Sequence, residues 1–415
     1  MAEGARWDIA VIGAGAAGLM AAIAAAEEGK RTLLLEKNKK PGVKILMSGG
    51  TRCNLTHATD NRGIVEAYGP PGRFLHSALA ALSVEQTIEF FESEGVATKV
   101  EETGKVFPVS NKALDVLEAL LRRLHRSGAV LALGEPLLSL EQEANGFGIT
   151  SPLKTVAASR VILTTGGQSY PGSGTTGDGY AVAARFGHTI VAPRPALVPI
   201  RVAALWVPEM RGITLPDVGV QILDGQSVLA KRRGSLLFAH FGLSGPVVLD
   251  VSRVVSGHPR PETLILEIDM LPSIPEAELD LLLSREAIDS AKKQLAVVLS
   301  TLLPRRLCEL LLTESGLPAD RKAAALSRGE RTGLVRTLKH LRLAIAGTLG
   351  FGKAEVTAGG VALDEVDSRN MRSKLVPGLF IAGEVLDLDG PIGGYNFQAA
   401  WSTGWLAGTA AAGAR

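Results

Sequence analysis

Residues 8–20 read DIAVIGAGAAGLM, and residues 32–36 read TLLLE. An apolar run of strand length breaks into three glycines, Gly13, Gly15 and Gly18, at G-x-G-x-x-G spacing. An Ala-rich stretch of helical length follows, and a second apolar run ends on the acid Glu36. Each residue type has a physical task. Gly13 permits the tight turn, Gly15 lets backbone approach a pyrophosphate, and Gly18 lets helix and strand pack closely. The helix N-terminus then turns its amides and positive dipole end toward the phosphates. Gly13, Ala14, Gly15, Ala16, Ala17 and Gly18 are the expected phosphate contacts. Glu36, with Lys37 beside it, lies at about the 20-residue distance expected for a ribose acceptor.

Working outward, 415 residues are enough for a large core and two or three structural units. A hydrophobic content of 46% and a charged content of 21% fit a globular chain rather than a disordered one. The formal net charge of +2 gives no support for broad electrostatic capture of nucleic acid, so no nucleic-acid partner is expected. Two cysteines, Cys53 and Cys308, exclude a disulfide framework and a cysteine zinc site, and no metal is expected. The uncharged run from Ala10 to Ala26 is too rich in Ala and Gly for a membrane span. The expected setting is cytoplasmic, without a membrane.

The texture changes along the chain. Residues 83–95 and 111–127 carry helical periodicity, and residues 129–163 read as short strands ending at Thr164-Thr165-Gly166-Gly167. Pro- and Gly-punctuated strand runs fill 191–273, and 274–350 reads as mainly helical. Strand–loop–helix texture returns from 351. The expected fold is α/β: a Rossmann-like domain split between 1–190 and 351–415, with a β-rich, barrel-like section and a helical section inserted.

A second signal lies near the C-terminus. Residues 378–384 read GLFIAGE, and 390–398 read GPIGGYNFQ, followed by a small-residue helix. A strand ends at Gly383-Glu384, and a glycine loop leads into a helix start near Asn396. This arrangement resembles the closing segment of glutathione-reductase-like FAD oxidoreductases. There the acid meets the ribityl chain and the last helix points its N-terminus at the flavin. A second G-x-G-x-x-G at Gly172, Gly174 and Gly177 does not directly follow a strand, and no strand ending in an acid appears about 20 residues later. It is read as a loop and helix beside the flavin.

Four further strings carry a family resemblance: SGGTRCNLT at 48–56, FPVS at 107–110, FGLSGP at 241–246 and AGGV at 358–361. With the cradle they resemble the BaiN-like (YhiN-type) family of NAD(P)/FAD-dependent oxidoreductases along nearly the whole chain. The resemblance implies FAD as cofactor and a barrel-like insert. Some members are linked to reduction of conjugated C=C bonds in steroid-like bile acid intermediates.

Candidate contacts to FAD therefore extend to Lys44, Ser48, Gly49, Gly50, Arg52, Cys53, Asn54, Thr165, Gly166, Gly167, Gly383, Glu384, Gly393, Gly394, Tyr395 and Asn396. Arg52 suits phosphate or an anionic flavin. Cys53 has no resolving cysteine near it in sequence and reads as a small filler. Tyr395 either donates a proton or packs, and Asn396 is a candidate helix cap. His240 is a general-acid candidate from the insert. The expected function is an FAD-dependent reductase. NAD(P)H acts as transient reductant, and the acceptor is an electron-poor small molecule such as a conjugated alkene. A flavin-dependent RNA-modifying enzyme and a non-catalytic flavin sensor are the alternatives.

Overall fold

The computed structural model describes residues 6–413. Its chain forms two compact units. One comprises the described residues up to Pro195 together with those from Ala354 onward; the other is Ala196–Lys353.

The first unit is built on a mostly parallel sheet. Strand β1 (Trp7–Ile12) pairs in parallel with β2 (Thr32–Glu36) on one side and with Lys154–Leu163 on the other. Val130–Leu133 extends the sheet beyond β2, and Leu379–Ile381 joins Lys154–Leu163 on the opposite flank, both in parallel. All five residues of β2 are buried, as expected for a strand covered on both faces. The register sets Ile12 beside both Leu35 and Leu163, so the loops after these three strands leave the sheet side by side.

Helix α1 (Ala16–Glu27) covers β1 with a nearly continuous buried run from Ala17 to Ala26. The C-terminal helix, Tyr395–Ala412, lies against it through a stripe of small residues. A Cβ on Gly404 would stand 2.3 Å from the Ala17 carbonyl oxygen, and one on Gly408 would stand 2.3 Å from that of Ala21. Only glycine permits backbones this close. The C-terminal helix is thereby seated on α1.

The Gly-, Lys- and Ser-rich stretch 39–56 reads as a loop from sequence, yet the structure forms helix α2 (Val43–Thr51) within it. Its first turns are helical, and the helix breaks where Ser48 turns extended and Gly49 and Gly50 adopt φ of 55° and 66°. A three-stranded antiparallel sheet, Thr56–His57, Lys105–Pro108 and Thr98–Val100, then carries the end of the SGGTRCNLT string and the start of FPVS.

The second unit is a closed barrel of six antiparallel strands. In order these are Ile200–Val202, Gly242–Ser244, Ser227–Ala239, Thr214–Asp224, Ile265–Asp269 and Leu341–Thr348. The last strand corrects the helical reading of residues up to 350. Leu341, Leu343 and Ile345 are buried while Arg342, Ala344 and Ala346 are exposed, the period-two pattern of a strand. Helical Leu307 and Leu334 share one hydrophobic cluster with barrel residues Val220 and Leu266, so the β-rich and helical stretches form a single core.

The helix seat makes a quantitative expectation. Gly404→Val lowers unfolding free energy by about 1–3 kcal/mol or more, the cost of overpacking a filled contact. Gly333→Ala, in a helix where the added Cβ meets nothing within 4 Å, raises it by about 0.5–1 kcal/mol. Urea denaturation of both variants against wild type checks the pair.

Candidate functional site

The glycine turn is built from its strand neighbours. Gly13 adopts φ of +103°, its N–H donates to the Leu35 carbonyl at 2.7 Å, and an added Cβ would lie 2.8 Å from the Thr164 carbonyl oxygen. Gly18 faces back onto the same turn, and a Cβ there would stand 1.8 Å from the Gly13 oxygen. Thr164 Oγ1 closes the turn by donating to the carbonyls of Ile12 and Gly13 at 2.9 and 3.0 Å. Gly15 differs from both. It is the N-cap of α1 with an ordinary φ of −84°, and a Cβ there would meet no protein atom within 4 Å. Nothing in the protein's own packing demands glycine at that position, whereas an approaching phosphate would.

Glu36 binds the turn itself. Its Oε2 accepts from the Ala14 N–H at 2.7 Å and its Oε1 from the Asn38 N–H at 2.8 Å. A carboxylate has about four lone-pair sites, so each oxygen keeps capacity for a sugar hydroxyl. Lys37 forms an ion pair with Asp178 and donates to Thr176 Oγ1 at 2.7 Å. Asn38 Nδ2 donates to the Ser173 carbonyl at 3.0 Å. The Gly172–Gly177 loop thus has contacts at the Glu36 end of the turn.

A second polar cluster centres on Glu384. Its Oε1 accepts from Ser169 Oγ and the Thr357 N–H, each at 2.9 Å, and Lys44 Nζ pairs with Oε2 at 2.5 Å. Gly167 packs here, since an added Cβ would lie 2.4 Å from Thr357 Oγ1. Gly166 precedes it with φ of +73°, and Gly383 lies under α1, 2.7 Å from the Ala17 Cβ by the same measure. Tyr180 is buried close by, and burial, with Glu384 and Asp387, pushes its phenol up.

The break after α2 forms the third part. Thr51 and Cys53 both take positive φ, at 70° and 60°. Such conformations cost about 1–3 kcal/mol each for ordinary residues, and they cluster at functional sites. Cys53 is fully buried, and burial pushes its thiol up to about 12, so it is no thiolate at neutral pH. Arg52 pairs with Glu101 at 2.6 Å and lies over the Phe107 ring at 3.9 Å.

The C-terminal helix meets the end of this string. Trp401 Nε1 donates to the Leu55 carbonyl at 2.9 Å, and Thr56 Oγ1 donates to Gln398 Oε1 at 2.7 Å. Gly394 caps the C-terminal helix with φ of 99° and presses on Thr56. Asn396 is not the cap. It lies within the helix and instead holds the preceding loop, accepting from the Gly390 N–H at 2.8 Å and donating to the Gly390 carbonyl at 3.0 Å. Tyr395 stacks on His57 with ring centroids 4.6 Å apart. The buried Tyr68 hydroxyl donates to the Tyr395 carbonyl at 3.1 Å.

All candidate cofactor contacts therefore fall within the first unit. His240 does not. It is exposed in the second unit, at the turn before Gly242–Ser244, edge-on to Phe241. Sequence reasoning passed over His57, Tyr68, Ser169 and Thr357. Two carried a local signal: His57 directly follows SGGTRCNLT, and Thr357 directly precedes AGGV.

An FAD molecule fits the residues present. The open Gly15 cradle suits a pyrophosphate. Asn54 Oδ1 and Thr165 Oγ1 are buried without a hydrogen-bond partner, a condition that polar ligand groups relieve.

Comparison with known proteins agrees with this architecture. The model of the HI0933-like protein Rossmann domain matches residues 7–410. A ribosomal RNA dihydrouridine synthase of Escherichia coli is 34% identical over 96% of both chains. A 3-dehydro-bile acid delta(4,6)-reductase of Clostridium scindens is 34% identical over 97% of this chain and 98% of its own. Among solved structures, a 3-ketosteroid delta1-dehydrogenase of Sterolibacterium denitrificans shares the fold with a TM-score of 0.52 at 14% identity, over 99% of this chain and 100% of its own. By this match along nearly its whole length, the chain belongs to the HI0933-like Rossmann family, the FAD-binding oxidoreductase family that its sequence resembles.

Proposed function

We propose that the chain is an FAD-dependent reductase that saturates a C=C bond conjugated to a carbonyl, with NAD(P)H as the source of electrons. The observation that carries the reading is the open Gly15 cradle. Its glycine answers to no protein neighbour, and it sits between an acid-tethered turn and a helix N-terminus. The named activity of the Clostridium scindens relative supports the reaction class. FAD, when bound, would accept hydride from the nicotinamide and pass it to the β-carbon of the acceptor.

The chain's own residues have separate tasks. The amides of Gly13–Gly18 and the α1 dipole hold the pyrophosphate. Glu36 takes the adenosine ribose, and its hold on the Ala14 N–H keeps the turn in shape. Glu384, paired with Lys44, orients the sugar-alcohol chain. The residues of the α2 break, Ser48–Asn54, and the Thr165–Gly167 turn line the ring end, and the Gly394-capped helix lends positive potential to charge there. Tyr395 gives a proton to the α-carbon and recovers it from water. Arg52, held by Glu101 and Phe107, acts as a charge beside the ring. Cys53 has no redox part. His240, exposed in the second unit, is given no part.

A second reading is favoured by a specific observation. The relatives from Escherichia coli and Haemophilus influenzae, 34% and 35% identical, are both named ribosomal RNA dihydrouridine synthase. Making dihydrouridine means saturating the uracil C5=C6 bond, itself conjugated to a carbonyl. The chemistry is common to both readings, and the acceptor differs.

Purified protein is expected to be yellow. Its visible flavin band bleaches on anaerobic addition of NADPH or NADH and returns with a 4-en-3-oxo steroid under the first reading, or with uridine-containing ribosomal RNA under the second. Flavin that no nicotinamide reduces would sink both readings and leave a flavin-binding sensor. Gly15→Val is expected to keep the melting temperature of FAD-free wild type yet fail to take up FAD, because its side chain enters ligand space only; cofactor absorbance per protein checks it. Iodoacetamide at pH 8 is expected to leave native Cys53 and Cys308 unlabelled, since both thiols are pushed up to about 12 by burial, and to label both in urea. Mass spectrometry counts the adducts.

A further inference from the structure

His57 has no task in the scheme above, yet the structure holds it tightly. Its ring is stacked on Tyr395, with centroids 4.6 Å apart and planes 20° from parallel. Its Nδ1 lies 3.1 Å from the Gly393 carbonyl oxygen. A carbonyl only accepts, so Nδ1 carries the proton and donates. On another side stands Gly104, where an added Cβ would lie 2.6 Å from Nε2. The ring is therefore fixed by a stack, a hydrogen bond and a close backbone. It belongs to the strand Thr56–His57, and Thr56 is the residue that Gly394 presses on.

We propose that His57 is a positioning residue that holds the Tyr395 phenol and the Gly393–Gly394 turn in the geometry needed to protonate the acceptor. This rests on the reductase reading above. The stack restricts the Tyr395 ring, and the Nδ1–H bond ties the same imidazole to the backbone two residues before it. Tyr395 cannot swing without losing the stack, and the turn cannot move without losing the hydrogen bond. Tyr68 secures the opposite side by donating to the Tyr395 carbonyl. In the reaction, hydride from the nicotinamide, relayed by the cofactor, forms a C–H bond at the β-carbon. The π bond breaks, and the α-carbon takes the Tyr395 proton. Tyrosinate then recovers a proton from water, and the nicotinamide ends oxidised. His57 neither gains nor loses a proton in this sequence. It acts through Tyr395, and misplacement of a reacting group by about 1 Å is enough to cost about 100-fold in rate.

The test uses the full-length FAD-loaded protein as wild type, His57→Ala, His57→Phe, Tyr395→Phe and the double variant His57→Ala/Tyr395→Phe. Bound FAD is reduced with dithionite, without nicotinamide, and its reoxidation by a 4-en-3-oxo steroid is followed anaerobically. His57→Ala and Tyr395→Phe are each expected to slow reoxidation by about 100-fold with FAD content unchanged. The double variant is no slower than either single one, and His57→Phe, which keeps a ring for the stack, recovers most of the rate. Near-UV circular dichroism reads the stack without turnover. His57→Ala removes the tyrosine-band component that Tyr395→Phe removes, and His57→Phe retains it. Wild-type reoxidation in His57→Ala, additive losses in the double variant, or an unchanged tyrosine band would each overturn the positioning role. Wild-type protein that the steroid fails to reoxidise would instead count against the small-molecule reading, and the dichroism arm still decides whether His57 holds Tyr395. If His57→Ala does not fold, His57→Phe and the Tyr395 variants carry the comparison: loss of the tyrosine band in His57→Phe then overturns the role.

Discussion

The near-contact of two helix backbones is the constraint on which the site depends. α1 and the C-terminal helix meet through Ala17, Ala21, Ala24, Gly404 and Gly408, with no side chain large enough to hold them apart. Dispersion and burial over this long stripe seat the end of the chain on its beginning. Once they are seated, Gly383 lies under Ala17, Gly394 presses on Thr56, and Trp401 reaches the Leu55 carbonyl. The glycine turn, the α2 break and the closing loop thus become one site because small residues allow it. Larger residues at these positions would separate the halves of the cradle before any ligand arrived.

The two acids divide the site. Glu36 is held by backbone amides of the turn, and among the described residues no lysine pairs with its carboxylate, so lone pairs remain on it. Glu384 is paired with Lys44 and fed by Ser169 and Thr357. Its charge is balanced within the protein, which leaves the positive end of the C-terminal helix to act on charge that develops at the ring. Each acid is thus held by its own set of protein donors, Glu36 by amides of the turn and Glu384 by Lys44, Ser169 and Thr357.

What the sequence made legible was local and periodic. Gly13, Gly15, Gly18 and Glu36 were readable because their spacing encodes one turn, and the closing Gly383-Glu384 repeats that logic at a strand end. Leu341–Thr348 was misread because it follows a Leu- and Arg-rich helical stretch, and only barrel closure against Ile200–Val202 shows why Leu, Leu and Ile alternate there. α2 was hidden by glycines that end a helix rather than fill a loop. Asn396 looked like a cap because Asn favours that place, yet Gly394 takes it, as its φ of 99° requires. His57 was marked only by its place directly after SGGTRCNLT, and its role was hidden for a different reason. Its meaning lies in a partner 338 positions away, Tyr395, which no spacing rule reaches.

The same limit governs the choice of acceptor. A net charge of +2 argued against nucleic acid, but net charge averages over a chain whose halves differ. Within residues 196–353, Lys and Arg outnumber Asp and Glu 20 to 16; outside that segment they fall short, 24 to 26. Phosphate contacts form locally, so a balanced total does not decide against them. The cradle does not decide either, because an enone ring and a uracil ring present the same conjugated bond to the same reductant. The first unit's glycines and acids therefore speak to the cofactor alone, and they leave the acceptor open. Relatives of equal identity bearing different acceptor names are what such a division of labour produces.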